Sequence, residues 1–351
     1  MQRSQLDSYS LLNRQLESLL KIATPETHSS FFSQFGITND IRLQFVSETN
    51  RSFERAISAR DVTSPRIPKI IHRLWLTDTI NPAMPQEAYL NKILHQANLF
   101  KEDYTYIFWH NCDHLATEIS RIVSGANIEM RNIATISNSS TLLSRIESAI
   151  AVRKYVMAAD ITKYLLLREY GGIYADLGID FEEPLIDLIR HADIALFLDD
   201  NLFFQPAFMA APLGSMPFRL WCCLLAQPEI VSAVTFAHNV TFNFGDEIWI
   251  HGGIGFTALL ILFHNDSSNV ASVPANRGLL HCESEGSWYK PGHKFGNATI
   301  GTAQSSHIDQ YRHTTYVQQN ADLSKILTKL TAAQLARVKI AQHLQKLFWL
   351  Q

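Results

Sequence analysis

The chain has 351 residues, 46% of them hydrophobic, with 30 Lys and Arg against 33 Asp and Glu. That is enough apolar material for one large core, and a charge this close to balance excludes bulk electrostatic attraction to nucleic acid. The four cysteines, Cys112, Cys222, Cys223 and Cys282, match no zinc spacing and are expected as reduced thiols. Residues 1–20 lack a basic region followed by an apolar core, so no signal peptide is expected. No run of about 18 apolar residues marks a membrane span.

Apolar residues recur at helical spacing from Ser4 to about Ile22, at Leu11, Leu12, Leu16, Leu19 and Leu20. A second helix is expected from Ile41 to about Ser58. Both read as an appendage that packs on the main domain, because they lack the basic polar face of a membrane-surface helix. Pro65 and Pro68 mark the entry to that domain. Lys69 to Leu76 is an apolar run of strand length, suited to a strand buried on both faces. A helix over Gln86–Phe100 follows, then a strand over Tyr104–Trp109 and a helix over His114–Val123. A short strand near Asn127–Met130 and a long helix from Leu142 to about Val156 complete this half. Strand and helix alternate, which argues for a mainly parallel α/β sheet with ligands at the strands' carboxyl ends. The absence of GxGxxG argues against a dinucleotide oxidoreductase.

The most informative stretch runs from Ala158 to Leu185. Asp160 reads as the N-cap of a helix from Ile161 to Tyr170. Gly171 and Gly172 end it, since a left-handed backbone is cheap only for glycine. Ile173, Tyr174 and Ala175 form a short strand that delivers Asp176, followed by Asp180, Glu182 and Glu183 in an acidic loop. Carboxylates crowded this way repel unless something positive sits among them, and a hard divalent cation fits.

This stretch resembles the DXD-type sugar-nucleotide transferases of glycosyltransferase family 32, and the glucosyltransferase domains of the large clostridial toxins. Asp160, Gly171, Gly172, Tyr174 and Asp176 match the shared pattern. Lys163 stands where the family usually has Arg. The Asp-x-Asp is interrupted: either Asp180 serves as the second carboxylate after a Gly178–Ile179 insertion, or Gly178 occupies its place and a ligand is lost. The segment from Ile67 to Trp75 resembles the family's first strand, whose tryptophan stacks on the nucleotide base, which makes Trp75 the base candidate; His72 and Trp75 also read as ordinary core residues.

The resemblance implies a GT-A-type, Rossmann-like fold: a mainly parallel sheet flanked by helices, with added N- and C-terminal helices. The expected division is a helical appendage over 1–64, a transferase domain over 65–315, and an amphipathic helix within 316–351. It further implies a retaining glycosyltransferase that moves a sugar from a nucleotide diphosphate, UDP favoured over GDP, to a glycan or protein hydroxyl. Mn2+ or Mg2+ would be held by Asp176, Asp180, His281 and Glu285. Asp160, Lys163 and Tyr174 would hold the donor sugar and its phosphates, and Ser287 and Trp288 would close over the diphosphate. His293 and Lys294 could neutralise phosphate, and Asp199, Asp200, Asn201 and Gln205 could meet sugar hydroxyls. The glycines of His251-Gly252-Gly253-Ile254-Gly255 open a helix, a weak anion-binding signal. A bacterial cytoplasmic enzyme and an effector acting in a host cytosol both fit. Two other readings stand beside this one: a sugar-nucleotide-binding protein with little or no turnover, and a hydrolase with paired carboxylates at Asp176 and Asp180.

Overall fold

A computed structural model describes residues 3–22, 32, 37–59, 65–136, 140–198, 202–226, 252–263, 268–274 and 278–282. Two helices lead, α1 (Arg3–Ile22) and α2 (Asn39–Ser58), the second capped by the Thr38 side chain on the Ile41 amide. Then come β1 (Ile70–Trp75), α3 (Glu87–Leu99), β2 (Thr105–His110), α4 (Asp113–Ile122) and β3 (Ile128–Asn132). Next are α5 (Ser140–Ala151), α6 (Tyr155–Tyr170), β4 (Gly172–Ala175), β5 (Ile179–Phe181) and α7 (Glu183–Ile189). The described remainder holds β6 (Ile194–Leu198), β7 (Phe204–Ala211), α8 (Met216–Leu225), α9 (Gly253–Phe263), β8 (Val270–Pro274) and β9 (Leu280–Cys282).

Seven strands form one sheet in the order β3-β2-β1-β4-β7-β6-β8, and β5 pairs with β9 in a separate hairpin-like sheet. β7 runs antiparallel to both its neighbours, and the other pairings in the large sheet are parallel. This is a mixed α/β arrangement, a mainly parallel sheet with helices on both faces.

Strand alternation sends successive side chains to opposite faces. Ile107, Trp109 and Tyr174 enter one core with α5, α6, α8 and α9. Tyr106, Phe108, Ile173 and Ala175 enter the other with α3, α4 and α7. The leading helices contribute to both, through Leu16, Phe45 and Val46 on one side and Leu12 and Phe53 on the other. Both pack on β8, the last strand of the sheet, and so cover an edge that would otherwise offer unpaired backbone groups. Asn50 Nδ2 donates to Asn13 Oδ1 at 2.7 Å and ties the two helices together.

Four local expectations change. Asp160 does not cap its helix: α6 begins five residues earlier, at Tyr155, and Asp160 lies inside it with its carboxylate turned to a side chain rather than to a backbone amide. The long helix before it stops at Ala151, because Arg153 takes a left-handed φ of 60° and breaks it. The acidic stretch is not one loop: a turn closes from the Ile179 amide to the Asp176 carbonyl at 2.9 Å, and β5 and α7 follow, α7 with a proline in its first turn. β8 and β9 had no sequence signal strong enough to be expected. The helix foreseen within 316–351 lies outside the described residues.

Candidate functional site

The glycines that end α6 are required by space as well as by backbone angle. Gly171 has φ 62°, and a Cβ there would lie 2.5 Å from the Leu213 amide nitrogen. Gly172 has φ 92°, and its Cβ would lie 2.6 Å from the Ile70 carbonyl oxygen. No other residue lets α6 reverse this tightly into β4. His72, buried on β1, pins the same turn: its Nδ1 accepts from Trp109 Nε1 at 3.0 Å, which leaves Nε2 to donate to the Gly171 carbonyl at 2.8 Å. Burial holds the His72 imidazole down at about 4, with Gly171 opposing and Arg131 assisting, so it is neutral near pH 7. His72 is thus a core residue that shapes the site without facing it.

The turn places β4 so that its end delivers Asp176 beside α6. Lys163 Nζ lies 2.9 Å from Asp160 Oδ1 and 3.1 Å from Asp176 Oδ1. Tyr174 Oη donates to Asp176 Oδ1 at 2.8 Å. Asp160 and Lys163 are buried, whereas the Asp176 side chain keeps 35% of its surface. Burial pushes the Asp160 carboxyl up to about 6, with Lys163 pulling it down and Asp176 adding to the rise. Burial would lower Lys163, but Asp160 and Asp176 together outweigh it and hold its ammonium charged above the usual lysine range. Burial, and then the Asp176 charge, raise the Tyr174 phenol well above its ordinary value, so it remains a donor. The result is a rigid, charged knot with one partly open carboxylate, at the carboxyl end of a strand.

Beneath this knot lies a residue that sequence reading passed over. Arg73 on β1 is fully buried. Its Nε donates to Tyr106 Oη at 2.7 Å and its Nη2 to Gln96 Oε1. Its Nη1 reaches the carbonyls of Ala175 at 3.2 Å, Ile179 at 3.0 Å, and Asp176. Gln96 Nε2 in turn donates to the Phe181 carbonyl at 3.3 Å. The signal in the sequence was an arginine within a strand otherwise read as buried on both faces, a costly placement unless the charge has dedicated partners.

Asp180 is placed differently. Lys92 Nζ of α3 lies 2.7 Å from its Oδ2. α3 packs on the opposite core from α6, so Asp176 and Asp180 take lysines from helices on different faces. His281 sits across from Asp180 in the β5–β9 pairing and is half-exposed, with Nε2 3.9 Å from Glu182 Oε1. Among the described residues, no group of three His, Cys, Asp or Glu side chains gathers as a metal shell. The described donors therefore do not fit a two-carboxylate cation site: both side chains are about one-third exposed, but Asp180 is engaged by Lys92, and Asp176 by Lys163 and Tyr174. The mutual repulsion that made a metal attractive on sequence grounds is met instead by Lys163 and Lys92. Glu285, Ser287, Trp288, His293 and Lys294 lie outside the described residues, as do Asp199, Asp200 and Asn201.

Trp75 ends β1 on the same carboxyl edge, half-buried, with Nε1 donating to the Ala83 carbonyl at 2.7 Å. That bond fixes the indole's orientation. Gln205 lies half-buried on β7. The glycines opening α9 have a packing reason: a Cβ on Gly253 would come within 1.8 Å of the Phe204 carbonyl. Gly252 presents its carbonyl to Tyr164 Oη.

The site lies within a recognisable region. Residues 87–195 match the family model described as "Glycosyltransferase sugar-binding region containing DXD motif". Among solved structures, the chain is similar to the PaToxG glycosyltransferase at 15% identity, covering 84% of this chain and 94% of that one, with a TM-score of 0.44. It is also similar to the glycosyltransferase domain from the YGT toxin, UDP-bound and ligand-free, at 11% identity, 73% and 79% coverage and a TM-score of 0.35. No curated protein matches. Asp160, Lys163, Tyr174, Asp176 and Asp180 all fall inside the matched residues, which over that span are similar to the glycosyltransferase sugar-binding region that contains the DXD motif.

Proposed function

We propose that this protein transfers a sugar from a nucleotide diphosphate, with a UDP-sugar as donor, to a hydroxyl of a glycan or protein, retaining the anomeric configuration. The observation that carries this reading is the buried Asp160–Lys163–Asp176 knot at the end of β4, within the matched sugar-binding region. Trp75 offers a flat face for the base. Asp160 holds Lys163 in place, and the ammonium bears on the departing diphosphate. Asp176, whose side chain keeps 35% of its surface, accepts hydrogen bonds from the sugar or ribose. A preset charge in a site that excludes water stabilises developing negative charge without reorganisation. The acceptor hydroxyl attacks from the face the phosphate leaves, and that phosphate oxygen takes its proton, so no separate protein base is needed. A divalent cation would add Lewis-acid stabilisation of the diphosphate; none of these steps passes through it.

A second reading is favoured by the Lys92–Asp180 pair, which withholds a carboxylate from the donor: a protein that binds the sugar nucleotide with little turnover. Release of free sugar from a panel of UDP- and GDP-sugars, with and without manganese, separates the two. Turnover of at least one donor supports the transferase. Tight binding without turnover supports the binder, and neither binding nor turnover removes both.

A further inference from the structure

We propose that Arg73 is a positioning residue for the donor site, acting through the backbone of the turn that carries Asp176; this rests on the transferase reading above. Three features single it out. First, every hydrogen-bond partner of the guanidinium among the described residues is neutral: the Tyr106 hydroxyl, the Gln96 amide oxygen and three backbone carbonyls. Second, those carbonyls belong to Ala175, Asp176 and Ile179, the residues that deliver and close the Asp176 turn. Third, Gln96 extends the grip to the Phe181 carbonyl, so β5 is held by the same centre.

A planar fork reaches these acceptors in fixed directions, the two Nη1 hydrogens shared among the three carbonyls; a lysine ammonium at the same place has only three donors and no fork. The clamp spans β1, β2, α3, β4 and β5, which makes the turn's position a property of the rigid core. Asp176 is then set from two directions. Its carboxylate is held by Lys163 and Tyr174, and its backbone by Arg73. Geometry of this kind is what a preorganised site requires, because displacements of about 1 Å are enough to lose a large part of the rate.

The test compares the unaltered protein with Arg73→Lys and Gln96→Leu. Donor hydrolysis is read as kcat and KM, and amide hydrogen exchange is followed across the sheet. The expected result is a fall in kcat of roughly tenfold or more with KM changed less than about threefold. Amides of residues 177–179 should exchange faster, while those of β1, β2 and β6 stay protected. Activity within about twofold of the unaltered protein, or loss that appears only together with exchange throughout the sheet, overturns the proposal. If Arg73→Lys does not fold, Gln96→Leu decides alone, since it deletes one bond to the guanidinium and one to Phe181. If the unaltered protein turns over no donor, the transferase reading fails. The exchange of residues 177–179 in Gln96→Leu still decides whether the clamp holds the turn: faster exchange supports it and unchanged exchange removes it.

Discussion

Lys92 and Asp180 meet at 2.7 Å on the α3 side of the sheet, while Asp176 meets Lys163 on the α6 side. The two carboxylates that would together form an interrupted Asp-x-Asp therefore have separate partners. Asp176→Asn should lower donor turnover by roughly a hundredfold or more, as loss of a preorganised polar group at a reacting centre does. Asp180→Asn should lower it by less than about tenfold, because it breaks a partly exposed ion pair of modest worth. Steady-state kinetics of the two single variants checks this ordering.

Lys163 is buried between two carboxylates, and removing it leaves both without their cation. Lys163→Met should destabilise the fold by about 3–5 kcal/mol, the range for a buried pair broken on one side. Denaturant unfolding of this variant provides the measurement. Adding Asp160→Asn should recover part of that loss, since it deletes the buried charge left unpaired.

Gly172→Ala should cost about 2–3 kcal/mol or more, because the new methyl meets the Ile70 carbonyl at 2.6 Å and the backbone must hold φ near 92°. Gly214 is the built-in comparison. Its φ of 69° is also positive, but a Cβ there meets nothing within 4 Å. Gly214→Ala should therefore cost less, and the difference between the two unfolding free energies reports the clash together with the difference in backbone strain.

His72 makes stability depend on acid. Its folded value of about 4 lies below the ordinary 6.5. The unfolded chain thus takes up a proton that the folded chain refuses. The stability contributed by neutral His72 is present above pH 6.5 and is lost as pH falls toward 4, by about 3 kcal/mol in all. His72→Gln removes that dependence, so the stability gap between the two proteins should narrow over this interval. Unfolding curves at several pH values across it measure the effect.

The alternation of strands and helices and the double glycine were legible because each has a local cause, whereas the knot residues around Asp160 were singled out by resemblance. Gly171 and Gly172 announce a reversal by composition alone. Asp160 shows where local reading fails. Aspartate before an apolar run signals a cap, but the competing partner is Lys163, itself turned toward Asp176 from β4, and tertiary electrostatics decided between them. β5, only a short strand, exists through its pairing with β9 far along the chain, which no local window can register. Lys92 and Arg73 were missed for the same reason. Their role lies in what they touch across the sheet, and the acidic stretch alone suggested that its neutralising charge had to come from outside the chain.

The most direct measurement is a crystal structure of the protein soaked with UDP-glucose and manganese. The predicted result is a nucleotide at the carboxyl edge of β1 and β4, with the base against Trp75, the diphosphate within hydrogen-bond reach of Lys163, and a sugar or ribose hydroxyl on Asp176. A nucleotide bound elsewhere, or one at this edge that leaves both Lys163 and Asp176 untouched, would contradict it.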